Sequence, residues 1–294
     1  MRVITTVQEM VDERSRWAGS TKIGFVATMG YLHDGHLSLV RQGRKENDKL
    51  LASIFVNPAQ FGPHEDLARY PHDLPHDLLM LETLGVDVVF VPTTEEIYPP
   101  GFVTYVDPTG PLVEEAEGRS RPGHFRGVAT VVLKLFQIVR PHQAYFGQKD
   151  AQQVAVITRM VKDFNLPVKL RILPAIREPD GLAMSSRNAY LSPQERIAAT
   201  VLYRALQAGR VAFEAHPKDG PLAVTQAMTQ AVLEEPRTRL EYAEVRDPDS
   251  FTQLEELRAP ALLLIAARVG PARLIDNFLL RPDGTWDSGI RVTE

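Results

Sequence analysis

Two histidines three residues apart, His33 and His36, flank Gly35 in the stretch Thr28-Met29-Gly30-Tyr31-Leu32-His33-Asp34-Gly35-His36. An apolar run, Ile23 to Ala27, precedes them, and a segment rich in Leu and basic residues follows. That order predicts a buried strand, a turn and an amphipathic helix, with the histidines where the helix begins. The first N–H groups of a helix lack partners within it, and with the helix dipole they favour an anion. Glycine lets a phosphate or a flat ring come close to the backbone. Imidazoles placed there can donate to phosphate oxygens and offset charge developing on phosphorus. Two plainer readings stand beside this one: a structural histidine with a surface neighbour, or ligands of a metal. His64, His72 and His76 are further candidates for a zinc site, but the chain has no Cys and no clear third ligand, so no resident metal is expected.

Other residues of chemical interest are scattered further along. Gln60 and Asn57 follow a second apolar run, Arg121 precedes Pro122-Gly123, and Gln153 lies just after Gly147-Gln148-Lys149-Asp150. Met184-Ser185-Ser186-Arg187 offers two hydroxyls and a guanidinium in a row. Taken singly, each has an ordinary explanation: Lys149 as a solvated side chain, Asp150 as a helix cap, the glutamines and serines as loop or surface residues.

The elements that must position these groups follow from periodicity. A helix over 5–17 has Thr6 as its N-cap. Ile23–Ala27 and Leu50–Val56 are buried strands, and Asp34 is the natural N-cap of the helix between them. A helix from about Pro75 carries Leu78, Leu81 and Leu84 and stops at Gly85, before a strand at Val86–Val91. The Pro- and Gly-rich segment 92–123 is loop with a short hairpin. Val128 to Val139 is a deeply buried helix, then come a strand to Gly147, a helix capped by Asp150, and a strand over Lys169–Ile176. Strands alternating with helices imply a doubly wound parallel sheet. Beyond Arg177 the pattern changes to a long helix from Pro193 to about Ala215, a helix over 221–235, and antiparallel strands at Glu241–Arg246, Ala261–Val269 and Ala272–Phe278. The polar tail after Leu280 is loosely held.

Bulk properties exclude several classes. A formal charge of -4 without a dense basic run argues against nucleic acid as the main partner. The longest apolar run, Ala259 to Ala267, falls far short of the roughly 20 residues that span a bilayer. The N-terminus has no apolar leader region, and the absence of Cys fits a reducing compartment.

His33-Asp34-Gly35-His36 is similar to the His-x-Gly-His signature of adenylyl-transferring enzymes, the superfamily that includes class I aminoacyl-tRNA synthetases. Met184-Ser185-Ser186-Arg187 resembles the mobile-loop signature of the same group. Phe55-Val56-Asn57-Pro58-Ala59-Gln60-Phe61, Tyr145-Phe146-Gly147-Gln148-Lys149-Asp150 with Gln152 and Gln153, Arg121-Pro122-Gly123-His124-Phe125, and Arg177-Glu178-Pro179-Asp180-Gly181-Leu182-Ala183-Met184 narrow the match. Together they resemble the pantoate–β-alanine ligase family, from about residue 20 to 192 and more weakly beyond.

The resemblance implies an α/β fold: a Rossmann-like doubly wound parallel sheet of nucleotidylyl transferase type over 1–177, binding nucleotide and pantoate. A smaller α+β C-terminal domain over 178–294 would close over the active site. It implies ATP-dependent condensation of (R)-pantoate with β-alanine through a pantoyl adenylate, yielding pantothenate, AMP and pyrophosphate, with Mg²⁺ arriving on the nucleotide. A cytoplasmic homodimer is implied too, with neither nucleic acid nor membrane as partner. Met29, Gly30, Tyr31, Leu32, His33, Asp34, Gly35 and His36 would line the ATP site, the histidines on phosphate and His36 as proton donor. Gly147, Gln148, Lys149 and Asp150 would hold nucleotide, Lys149 on phosphate and Asp150 on ribose. Ile176 would present backbone to adenine, and Met184, Ser185, Ser186 and Arg187 would close over the phosphates. His36, His33, Lys149 and Arg187 are the implied catalytic set. Gln60 and Gln153 would hold pantoate, Gln60 also touching β-alanine, with Asn57 and Arg121 as second-rank substrate contacts. Ala27 and Gln148 stand where the family usually has Pro and Glu, and the tail from Arg281 is longer than typical. A related nucleotidylyl transferase would not need the two glutamines, and a regulatory module without turnover would not need His33, His36, Lys149 and Arg187 intact.

Overall fold

The computed structural model describes residues 1–215 and 220–292. In chain order the first elements are β1 (Arg2–Ile4), α1 (Val7–Ser15), β2 (Ile23–Thr28), α2 (Asp34–Glu46), β3 (Lys49–Ile54), α3 (Leu74–Thr83), β4 (Val88–Phe90) and α4 (Thr94–Ile97). Then come α5 (Pro111–Glu114), α6 (Glu117–Ser120), α7 (His124–Val139), β5 (Gln143–Gly147), α8 (Ala151–Asp163), β6 (Lys169–Leu173) and β7 (Ile176–Arg177). The remainder is α9 (Pro193–Ala198), α10 (Val201–Ala215), α11 (Gly220–Leu233), β8 (Thr238–Arg246), β9 (Ala261–Val269), β10 (Ala272–Leu280), β11 (Trp286–Asp287) and β12 (Ile290–Arg291).

The chain forms two compact units, the first made of Met1–Thr109, Gly118–Gly147 and Val156–Leu173. Its sheet has six strands, all paired in parallel, in the order β1-β4-β3-β2-β5-β6. Both faces are covered, so the central strands β2, β3 and β5 are buried along nearly their whole length and mostly apolar. In β2, Phe25 meets Phe136 of α7 edge-on, while its neighbour Val26 packs with Val40, Leu50, Leu81 and Tyr145. From β2 the chain builds outward first through β3 and then, later, through β5 on the other side. The carboxyl end of β2 is therefore the point where the strand order reverses, the usual binding crevice of such sheets.

The second unit comprises Gly110–Glu117, Gln148–Ala155 and the chain from Pro174 onward. It thus takes two short pieces from upstream of Arg177, the point where the sequence pattern changes. An antiparallel sheet, β11-β10-β9-β8, packs Leu263, Ile265 and Phe278 against Leu202, Leu206 and Met228 of the helices. This is the smaller antiparallel domain that the sequence pattern predicts after Arg177.

Several local expectations are corrected. His33, not Asp34, is the N-cap of α2, because its ring nitrogen accepts the Gly35 N–H while its own backbone is still extended. Residues 98–109 hold no hairpin, and the Pro/Gly-rich stretch instead makes the short helices α4, α5 and α6. The long C-terminal helix breaks at Ala199–Thr200 into α9 and α10. The tail is not loose as far as Val292: β11 pairs with β10 and β12 pairs in parallel with β7, while residues 293–294 lie outside the described residues. Strand β1 escaped the sequence reading because three residues carry no period. No helix among the described residues is long and apolar enough to cross a membrane.

Candidate active site

The turn after β2 is held by hydrogen bonds from buried groups. Thr28 Oγ1 donates to the Ser53 carbonyl at 2.8 Å and accepts the Gly30 N–H at 3.2 Å. Gly30 has φ 84° and Tyr31 φ 52°, so two successive residues are left-handed and the chain reverses sharply. Asp77 of α3 then receives the next two N–H groups, Tyr31 at 2.8 Å and Leu32 at 2.7 Å. Burial drives the Asp77 carboxyl above its ordinary range, and the Leu32 and Tyr31 N–H groups pull it back only in part. The result delivers His33 to the N-cap position of α2.

His33 and His36 then cap the helix reciprocally. His33 Nδ1 accepts from Gly35 N at 3.2 Å, and His36 Nδ1 accepts from His33 N at 3.4 Å. Backbone N–H groups can only donate, so each Nδ1 must carry a lone pair. The proton of each neutral ring therefore sits on Nε2. The rings lie 4.1 Å apart between centroids.

A second cluster in the same unit surrounds Gln60, which ends a 3₁₀ turn over Pro58–Gln60. Asn57 Nδ2 donates to Gln60 Oε1 at 2.8 Å and to the Gly127 carbonyl at 3.1 Å. Tyr98 donates its hydroxyl to Asn57 Oδ1 at 2.9 Å, and burial pushes that phenol's pKa up. Gly127 is where α7 touches this turn: a Cβ there would lie 2.0 Å from the Ala59 carbonyl oxygen. Arg121 is bidentate to Glu65, at 2.8 and 2.6 Å, and also donates to the Gln60 carbonyl at 3.2 Å. Burial opposes the Glu65 charge, yet the Arg121 guanidinium holds that carboxyl below its usual value. His124 Nδ1 lies 2.8 Å from the same Gln60 carbonyl. Arg121 thus braces the Gln60 backbone.

In the second unit Gln148 and Lys149 are tied to β10, since Asn277 Nδ2 donates to both their carbonyls, at 3.0 and 2.8 Å. Lys149 Nζ lies 3.2 Å from Asp150 Oδ1, and Gln153 sits half-buried in the first turn of α8. Ile176 and Met184 meet, the Met184 N–H donating to the Ile176 carbonyl at 2.9 Å. Ser185 caps the 3₁₀ turn Ser186–Tyr190 by accepting from Arg187 N. Beneath this loop Arg177, fully buried, is bidentate to Asp276 at 2.6 and 2.9 Å and donates to the Gly181 carbonyl at 3.1 Å.

The first unit therefore brings together Met29 to His36 as one turn, and Asn57, Gln60 and Arg121 as one cluster, with Gly147 at the carboxyl end of β5. The second unit gathers Gln148, Lys149 and Asp150, and separately Ile176 with Met184 to Arg187. Asp77, Tyr98, Glu65, His124 and the Arg177–Asp276 pair were not among the sequence candidates. Only Asp77 left a signal: it precedes Leu81 by one helical turn, so a carboxylate lies on the buried stripe of α3.

A family model described as pantoate-beta-alanine ligase matches residues 2–279. The chain belongs to the pantoate–β-alanine ligase family. A relative named pantothenate synthetase, from Roseiflexus sp. (strain RS-1), is 56% identical over 280 residues, covering 95% of this chain and 99% of the relative. Another of that name, from Thermotoga neapolitana, is 51% identical over 282 residues, covering 95% and 100%. Among solved structures, pantothenate synthetase from Thermus thermophilus superposes with a TM-score of 0.90 at 47% identity, covering 96% of this chain and 100% of that one. A pantoate-beta-alanine ligase from Francisella tularensis, complexed with beta-gamma ATP and beta-alanine, gives a TM-score of 0.80 at 36% identity, covering 95% and 97%. The ligase fold in this chain is thus the six-stranded parallel sheet with a smaller antiparallel domain.

Proposed function

We propose that His33, His36, Lys149 and Arg187 activate pantoate on ATP, and that Gln60 and Gln153 hold the acid while it reacts. The enzyme is an ATP-dependent ligase that condenses (R)-pantoate with β-alanine, giving pantothenate, AMP and pyrophosphate. In the first step a pantoate carboxylate oxygen bonds to the α-phosphorus, and the bond from that phosphorus to the bridging oxygen of the β-phosphate breaks, releasing pyrophosphate. In the second, the unprotonated β-alanine nitrogen bonds to the acyl carbon, the bond to the AMP oxygen breaks, and the nitrogen loses a proton.

The observation that carries this reading is the reciprocal cap of His33 and His36. It fixes the position of both rings with the proton of each neutral imidazole on Nε2, at a helix N-terminus and at the strand-order reversal. Two such donors suit phosphoryl oxygens that gain charge as pyrophosphate leaves. Lys149 and Arg187 add full positive charge, which the attack of one anion on another requires. Gly147 to Asp150 and Ile176 are assigned to nucleotide, Met184 to Arg187 to the phosphates, and Asn57 and Arg121 to the support of Gln60. Mg²⁺ enters with ATP as part of the substrate. The family resemblance also supports a homodimer in the cytoplasm.

Product analysis tests the assignment of substrates. With ATP, pantoate and β-alanine present, pantothenate, AMP and pyrophosphate should accumulate in equal amounts. Formation of ADP and phosphate instead would rule out an adenylate route.

A further inference from the structure

The hydrogen-bond polarity of Gln60 is fixed by backbone groups whose roles admit no choice. The Ala59 N–H can only donate, and it faces Asn57 Oδ1 at 3.3 Å. The Gly127 carbonyl can only accept, and it faces Asn57 Nδ2 at 3.1 Å. The Asn57 amide therefore has one permitted orientation. Its Nδ2 spends its second hydrogen on Gln60, at 2.8 Å, so Gln60 must turn its oxygen to that side. The Gln60 carbonyl accepts from Arg121 and His124, and its backbone N–H goes to the Asn57 carbonyl at 3.2 Å. The side-chain Nε2 is left as the one group of Gln60 with no recorded acceptor among the described residues.

Tyr98 stands at the head of this relay. Its hydroxyl donates to Asn57 Oδ1, and its ring is packed between Phe55 and Phe102, with centroids 6.4 and 5.1 Å away. The phenol, half-buried and hard to ionise, stays protonated and so keeps a hydrogen to donate. It locks the Asn57 oxygen, which locks the Asn57 nitrogen onto Gln60.

We propose that Tyr98 and Asn57 are positioning residues that turn the side-chain Nε2 of Gln60 toward the substrate as an N–H donor. The atom that Nε2 binds is then an acceptor oxygen of the acid substrate, carboxylate or hydroxyl lone pair. This rests on the assignment of Gln60 to pantoate, and it adds which atoms Gln60 selects and what sets that choice.

The test is a set of variants on the whole enzyme, with KM measured separately for pantoate, β-alanine and ATP. Gln60→Glu keeps the shape and replaces the donor by oxygen; it should raise the pantoate KM by about 10-fold or more, the cost of losing a hydrogen bond to a charged group. Tyr98→Phe should raise the same KM by about 3- to 10-fold and leave the ATP KM and Tm near wild type. Combined with Gln60→Ala, Tyr98→Phe should add nothing, because it acts only through Gln60. Multiplying effects in the double variant, a wild-type pantoate KM in Gln60→Glu, or a rise confined to the β-alanine KM would each overturn the proposal. Should Tyr98→Phe fail to fold, Gln60→Glu alone decides the polarity. Wild-type enzyme without pantoate-dependent turnover would instead overturn the functional assignment itself.

Discussion

His33 and His36 hold each other: the backbone of the first donates to the ring of the second, while the ring of the first caps the helix that carries both. One arrangement thus fixes two tautomers and two ring positions. It also commits Nδ1 of each ring to the helix cap and puts the proton of each neutral ring on Nε2.

Asparagine can imitate the Nδ1 of histidine as a cap but has nothing at the Nε2 position. His33→Asn should therefore keep stability within about 0.5 kcal/mol, whereas His33→Ala should cost about 1 kcal/mol. Both should lower turnover by about 100-fold or more. Paired thermal melts and initial rates check this, and a His33→Asn enzyme with near-normal kcat would remove the ring from catalysis.

Asp77 holds the turn that leads into His33. Asp77→Ala strands the buried Leu32 N–H and the part-buried Tyr31 N–H and should cost about 2–4 kcal/mol. Asp77→Asn keeps one acceptor and should cost less. In that milder variant the adenylation half-reaction should slow more than the transfer of a supplied pantoyl adenylate to β-alanine. Equal slowing of both halves would mean that Asp77 only stabilises the fold.

The Glu65–Arg121 pair predicts a pH dependence with a definite sign. The folded carboxyl has its pKa lowered, so it adds stability above the unfolded value of about 4.3 and loses it as pH falls through the folded value. The stability gap between wild type and Glu65→Gln should be full above about pH 5 and close at lower pH. Denaturant melts from pH 3 to 7 measure it; a gap that widens in acid contradicts the pairing.

In the second unit, Arg177 is buried with its charge met by Asp276. Asp276→Ala leaves that guanidinium uncompensated and should cost about 3–5 kcal/mol. Because Arg177 also donates to the Gly181 carbonyl, the loop bearing Met184 to Arg187 should loosen with it. Hydrogen exchange over 178–190 would rise more than over β9 if so; uniform change would mean a purely global effect.

Much of this is legible in the sequence, and most of what is not shares one cause. The alternation of apolar runs and amphipathic stretches locates the parallel sheet, since strands covered on both faces must be apolar throughout. The histidine turn is marked by Gly and by its place between strand and helix. What pattern cannot show is pairing at a distance. Asp77 reaches Tyr31 across 46 residues, Tyr98 reaches Asn57 across 41, and Arg177 reaches Asp276 across 99. The tail misled for the same reason: its polar residues look unanchored, yet β12 pairs with β7. The cap of α2 was misread because Asp is the commoner cap, whereas here the ring nitrogen of His33 serves.

In the proposed order of events, pantoate is activated on ATP before the amine takes part. Exchange of labelled pyrophosphate into ATP, measured with pantoate and without β-alanine, tests it most directly. Rapid exchange that requires pantoate is expected, falling by about 100-fold or more in His36→Ala. Exchange that appears without pantoate, or only once β-alanine is added, would contradict it.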